Sequence, residues 1–178
     1  MTERTDIEQL SMNQALSGAV NHNIHNVIQA AVHTVQLLKP QPGTDSGMRE
    51  SQLRNVVNVS LEAQSVTEVA AFILYQMGRS TNSRQWLYGD FGTAVVTDLT
   101  AANTDAVVAA ARRASQEAET ALAKNEIVLT GAEKASLLAT AHIALARQYL
   151  GYLNRLFSFA DKTKGWERLT ALVEVNDD

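Results

Sequence analysis

The stretch from Thr130 to Gly165 constrains the fold of this chain more than any other. Leu138, His142, Leu145, Tyr149, Tyr152, Leu156 and Phe159 follow one another at alternating spacings of four and three, which lays them along one stripe of a 3.6-residue helix. The run opens on Thr130-Gly-Ala-Glu133, a capping box in which the Thr hydroxyl accepts from a free amide of the first turn while Glu reaches back. It holds no proline and stops near Gly165, glycine being a common helix terminator. An apolar seam of this length has to be buried against other helices. The expectation is an all-α fold: a single-domain helical bundle spanning residues 1–178, with about six helices and a long C-terminal one.

The rest of the chain supplies partners for that helix. A first helix is expected from Ile7 to Leu38, with a break near Ser17-Gly18 and a stripe made by Ile24, Ile28, Val32, Val35 and Leu38. Residues 39–47 carry both prolines of the chain, Pro40 and Pro42, and read as a loop. A second helix runs Met48 to Leu61. Ser65-Val-Thr-Glu68 is another capping box and opens a third, ending around Gly78. Val69 to Met77 is apolar nearly all round, which predicts the buried central helix. Arg79 to Arg84 reads as a polar loop. A fourth helix from Ser83 to Leu99 carries Trp86, Leu87, Phe91, Val95 and Leu99, with Gly89 and Gly92 permitting close packing or a break. Asn103 to Lys124 is Ala-rich with a thin apolar face and is expected to pack at the periphery or to project, as an inserted helix (103–124). Trp166 to Val175 forms a short docked tail before an acidic end.

Composition excludes several classes. Apolar residues make up 46% of the 178, enough for a real core. Without cysteine, neither a disulfide framework nor a thiolate metal site can form. The longest apolar run, Val69 to Tyr75, is far short of the ~20 residues a membrane span needs. The start, Met-Thr-Glu-Arg-Thr-Asp, lacks the shape of a signal peptide. A soluble cytoplasmic protein is the expectation. A net charge of −4 speaks against bulk nucleic-acid binding and leaves room for a local basic face.

Catalytic motifs are absent from the sequence. His22 and His25 have the i, i+3 spacing of paired ligands, but with His33 they are surrounded by Asn21, Asn23 and Asn26 rather than carboxylates, so a solvated helix face is expected, with no metal and no cofactor. His142 falls on the apolar seam, where a hydrogen-bonded core or interface histidine is usual. Asp90, Asp98, Glu133 and Asp161 are scattered. Gly89-Asp-Phe-Gly92 resembles a kinase metal-binding tripeptide but lacks every accompanying kinase element. No phosphate-cradling or dinucleotide glycine motif occurs. The chain does not read as an enzyme.

Basic residues carry more information. Arg147, Arg155 and Lys162 recur at spacings of eight and seven on one face of the long helix, with Gly151 and Ser158 between them. From Arg147 to Arg168, five basic residues (with Lys164) stand against Asp161 and Glu167. Such a row suits phosphates along a strand, a solvated face or a partner helix. Arg79, Arg84, Arg112 and Arg113 are further cations. Among Trp86, Tyr88, Tyr149, Tyr152, Phe157 and Phe159, all but Tyr88 and Phe157 are expected in the core.

A helix reading Ser65-Val-Thr-Glu-Val-Ala-Ala-Phe-Ile-Leu-Tyr75 is followed by a basic turn and by Trp86-Leu-Tyr-Gly-Asp-Phe-Gly-Thr-Ala-Val-Val. Last comes Ala146-Arg-Gln-Tyr-Leu-Gly-Tyr-Leu-Asn-Arg-Leu-Phe-Ser-Phe-Ala-Asp161. Over Met48–Leu99 and Glu133–Lys162, this order resembles the small all-helical subunit of type III-B (Cmr-type) CRISPR RNA-guided effector complexes. The long first helix, the 103–124 helix and the acidic charge depart from that pattern. The resemblance implies a non-catalytic antiviral role. Copies would stack head to tail along a guide RNA–target RNA duplex beside other effector subunits. Arg147, Arg155 and Lys162 would contact the nucleic acid, with Arg79 and Arg84 next. The alternative is a helical protein–protein adaptor without nucleic-acid binding, using the thin apolar face of Ala109–Leu122; a helical metal enzyme built on His22 and His25 is a third.

Overall fold

In the computed structural model, which describes residues 5–79 and 83–174, the capping box at Thr130 forms as the sequence requires. Thr130 Oγ1 accepts from the Glu133 amide at 3.3 Å, and the Glu133 carboxylate accepts from the Thr130 amide at 2.7 Å. The helix it starts, Gly131–Thr163, is 33 residues long, about 50 Å at 1.5 Å per residue. It ends two residues before Gly165, and Lys164, the residue that caps it, takes the left-handed conformation (φ 56°). Gly165 has a different task. A Cβ there would lie 2.7 Å from Thr163 Oγ1 and 3.2 Å from the Phe159 ring.

In chain order the helices are α1 (Asp6–His22), α2 (Ile24–Gln36), α3 (Glu50–Glu62), α4 (Val66–Gly78), α5 (Ser83–Leu87), α6 (Phe91–Thr100), α7 (Val107–Lys124), α8 (Gly131–Thr163) and α9 (Glu167–Glu174), with a 3₁₀ turn at Tyr88–Asp90 between α5 and α6. No β-strand occurs among the described residues; Gln41 and Thr44 form one isolated bridge in the proline loop. The architecture is an all-α bundle. The middle of the Arg79–Arg84 loop, the first four residues and the acidic end lie outside the described residues.

Two expected helices are each broken, which raises the number of elements above six. The first breaks at Asn23 rather than at Ser17-Gly18. Asn23 is buried, and its Nδ2 donates back to the Ala19 carbonyl at 2.9 Å and across to Glu117 Oε1 at 3.2 Å. Such local side-chain bonding competes with helix continuation. The fourth breaks at Gly89 and Asp90, both at positive φ (55° and 59°). Gly89 admits no side chain, since a Cβ would sit 2.8 Å from the Leu37 carbonyl oxygen. At Gly92 a Cβ would meet Met77 Sδ and the Trp86 carbonyl oxygen, each at 2.8 Å. The two glycines thus divide the tasks of break and close approach.

The central helix is α8, packed on α7, α2 and α3. Being covered on several sides, it buries a wide arc: Leu145, Tyr149 and Leu156 from the expected seam, together with Leu137, Ala141, Ala146, Leu150, Leu153, Phe157 and Ala160. The seam drifts out of the core at its ends, where Leu138 and Phe159 are 37% and 39% exposed. Phe157, expected outside, is instead buried edge-on against Trp166, with centroids 6.3 Å apart. Helix α4 is not the central helix that its composition predicts. It packs on α3, α5 and α6 through Val66, Val69, Ala70 and Ile73, and presents Leu74 (54% exposed) and Tyr75 (60%) outward. The reverse correction applies to α7, expected as a peripheral insertion. It lies between α1 and α8, with Ala110, Ala111, Ala114, Ala118 and Leu122 fully enclosed. Alanines let neighbouring helices approach closely, so its thin apolar face is core and is not available to a partner.

Candidate nucleic-acid interface

The basic row of α8 lies along the edge of α3, and the structure assigns each member a different neighbour. Arg147 is half-buried and closes the C-terminal end of α3: Nε donates to the Ser60 carbonyl at 2.8 Å, and one terminal nitrogen donates to Ala63 at 3.0 Å and Leu61 at 3.4 Å. Helix C-termini expose unpaired carbonyls and partial negative charge, which a guanidinium satisfies. Lys162 reaches the other end of α3, with Nζ 2.9 Å from Glu50 Oε2. Glu50 also accepts from Arg54 at 2.5 Å. The hydrogen bond from Lys162, then that from Arg54, holds its carboxyl at about 2 against a partial upward push from burial. Between these two, Arg155 is exposed and lies over the Tyr152 ring, 5.2 Å from its centroid. Gly151 brings no backbone close; its nearest neighbour is a terminal nitrogen of Arg155 at 3.8 Å.

The two expected cations outside α8 lie together in the chain at the end of α4 and in α5. Arg79 is exposed above the Tyr75 ring at 5.5 Å, and Arg84 is exposed on α5. Arg79 also lines a groove of about 330 Å³ between α3 and α4. Gln52, Arg54, Asn55, Asn58 and Gln76 form its other polar walls, with the buried Trp86 beside them. No carboxylate lines it.

Sequence reasoning missed this groove, although signals were present. Ser51, Arg54, Asn55 and Asn58 stand at i, i+3, i+4 and i+7, one polar face of a helix that buries Leu53, Val56 and Ser60 on the other. Gln76 interrupts the near-apolar run Val69–Met77 of α4 and is buried.

The remaining polar residues tie helices together. Asp98 of α6 accepts from Thr34 of α2 at 2.5 Å and from Tyr149 of α8 at 2.6 Å. Burial pushes the Asp98 carboxyl up, opposed by those two hydrogen bonds and by His33. Burial and the Asp98 charge push the Tyr149 phenol well up. His142 Nε2 donates to the Leu99 carbonyl at 2.7 Å, which satisfies a carbonyl near the end of α6. At the α1–α2 break, His22 Nδ1 lies 2.9 Å from Glu117, and Arg113 donates to Asn23 at 3.2 Å and to Asp105 at 2.7 Å. Burial works upward on the Glu117 carboxyl, but the hydrogen bonds from His22 and Asn23, with the His22 and Arg113 charges, hold it below its ordinary value. His22 and His25 fall on separate helices, and no group of three or more metal-ligating side chains forms among the described residues. No helix of the described residues is long and apolar enough to cross a membrane. No known family model, curated protein or solved structure matches this chain.

Proposed function

We propose that the chain is a non-catalytic, cytoplasmic subunit of an RNA-guided effector assembly of the type III-B CRISPR kind, touching nucleic acid through arginines that the fold leaves presented. One division among the five expected contact residues carries the reading. Arg147 and Lys162 are bonded to α3, Lys162 while itself exposed, whereas Arg79, Arg84 and Arg155 are exposed with no carboxylate or carbonyl partner among the described residues, on a chain of net charge −4. Two of these three lie over tyrosine rings, which orders a guanidinium without occupying its hydrogen-bond donors. A phosphate backbone is the ligand such donors suit. The order of helical segments adds support for stacking of several copies beside larger subunits.

The test is fluorescence anisotropy with labelled single-stranded RNA and with an RNA duplex, at two salt concentrations. Arg84→Glu with Arg155→Glu is expected to weaken binding at least tenfold and to flatten its salt dependence. Unchanged affinity in that double variant would remove the strand-contact reading. A second reading, the protein–protein adaptor, is favoured by one observation: Leu74 and Tyr75 of α4 are exposed side by side. Under it, co-purification from the host yields a protein partner without RNA, held through high salt and released by Leu74→Asp.

A further inference from the structure

We infer that the groove between α3 and α4 seats one nucleotide moiety, its phosphate on Arg54 and Arg79 and its base edge on Gln76 with the Asn55 and Asn58 carboxamides. For the case where that nucleotide belongs to an RNA strand, the inference rests on the strand-contact reading above; a free nucleotide presents the same chemistry.

Three observations combine. The first is Gln76, only 7% exposed, which lines the groove and makes no side-chain hydrogen bond among the described residues. Neither amide atom is both enclosed and unpartnered: the amide opens onto the solvent of the groove, where a ligand can take up its donor and acceptor. The position is otherwise apolar in character, flanked on α4 by Ile73 and Met77. A ligand edge carrying both a donor and an acceptor satisfies both ends of the amide, which is how Asn and Gln read bases.

The second is the lining. Two guanidinium groups and four carboxamides meet there without a carboxylate, in a chain whose acidic residues outnumber its basic ones, 19 to 15. Arg54 keeps one contact to Glu50, and Glu50 is itself shared with Lys162, so the cluster of Glu50, Arg54, Lys162 and Arg79 retains a positive balance. Guanidinium forks match phosphate oxygens. Carboxamides add hydrogen bonds that a bare phosphate does not need, and that is the feature favouring a nucleotide over inorganic anions.

The third is size. A space of about 330 Å³ falls at the small end of ligand sites, suited to one nucleotide rather than a dinucleotide. Tyr75, beneath Arg79, holds the guanidinium over the end of α4.

The experiment uses the full chain. Calorimetric titrations with each of the four 5′-ribonucleoside monophosphates and with inorganic phosphate are run on wild type, Gln76→Leu and Arg79→Gln; anisotropy with single-stranded RNA is run on the same proteins. Gln76→Leu removes the amide while keeping the volume, and helical circular dichroism with the melting temperature checks its fold. At least one monophosphate is expected to saturate the wild type and to bind at least tenfold more tightly than phosphate. Each variant is expected to lose at least tenfold. Phosphate binding as tightly as every nucleotide overturns base recognition. Absence of saturation by any monophosphate, with RNA affinity unchanged in Gln76→Leu, overturns the site, and a loss of RNA binding in the Arg84/Arg155 variant would then leave the strand-contact reading standing. Monophosphate binding without any RNA binding supports the groove and removes that reading.

Discussion

Removing the guanidinium of Arg147 separates a structural cation from a nucleic-acid contact on one of the three residues that the sequence put first. In the fold, Arg147 donates to three carbonyls at the end of α3, two at 3.0 Å or less and one at 3.4 Å. A hydrogen bond from a charged donor is worth about 1.5–3 kcal/mol when its loss leaves the partner unsatisfied. Leu61 is exposed and its carbonyl can recover water, whereas Ser60 and Ala63 are buried. Counting the two short bonds, and discounting for partial hydration, Arg147→Met should cost about 2–3 kcal/mol. At about 2–4 °C per kcal/mol for a chain of this size, the melting temperature should fall by roughly 4–12 °C. Arg147→Lys keeps the charge but cannot bridge two carbonyls in one plane, and about half the loss should remain. Urea denaturation followed by circular dichroism measures both. If Arg147→Met lies within about 0.5 kcal/mol of wild type, the helix-closing role is wrong. If Arg147→Lys restores stability fully, charge alone matters and the fork geometry does not.

Other expectations follow from equally local features. Asp98 is raised by burial, so its protonated form is the one the fold favours; its contribution is full below the ordinary 3.8 and is lost as pH rises through the shifted value. Glu50 has the opposite sign: held at about 2 by Lys162 and then Arg54, it stabilises above 4.5 and that stabilisation is lost as pH falls toward 2. Denaturation midpoints measured across pH should therefore lose their decline on the high side in Asp98→Asn and their acid decline in Glu50→Gln. Gly92→Ala should destabilise by about 1–3 kcal/mol in thermal unfolding, because its Cβ would meet a backbone oxygen that cannot move away freely. Lys164→Gly should gain up to about 1 kcal/mol by relieving the left-handed conformation; the Lys164–Asp161 pair it removes is exposed and contributes little.

The features legible in the sequence were those written in near-neighbour chemistry. Thr130 and Glu133 are three residues apart, and their box forms; Ser65 likewise accepts from the Glu68 amide at 3.4 Å. Periodicity located the helices because it reflects backbone geometry within a few turns. What it could not give was rotation about each helix axis, which depends on how many neighbours a helix acquires. Helix α8 acquired several and buried Phe157 while releasing Phe159; α4 acquired partners on one side and left Leu74 and Tyr75 outside despite the most apolar run in the chain. The same indeterminacy governed the candidate site. The spacing of Arg147, Arg155 and Lys162 correctly placed them on one row, but that row runs past both ends of α3, where an open carbonyl end and a carboxylate were waiting. Long-range partners of this kind leave no local mark: Asn23 breaks the first helix because Glu117 and Arg113, some ninety residues on, are there to hold it. Gln76 leaves a mark of the opposite sort. A carboxamide in the near-apolar run from Val69 to Met77 is visible in sequence only as an exception to the pattern, and one that the fold turns toward a polar groove is where binding has something to gain.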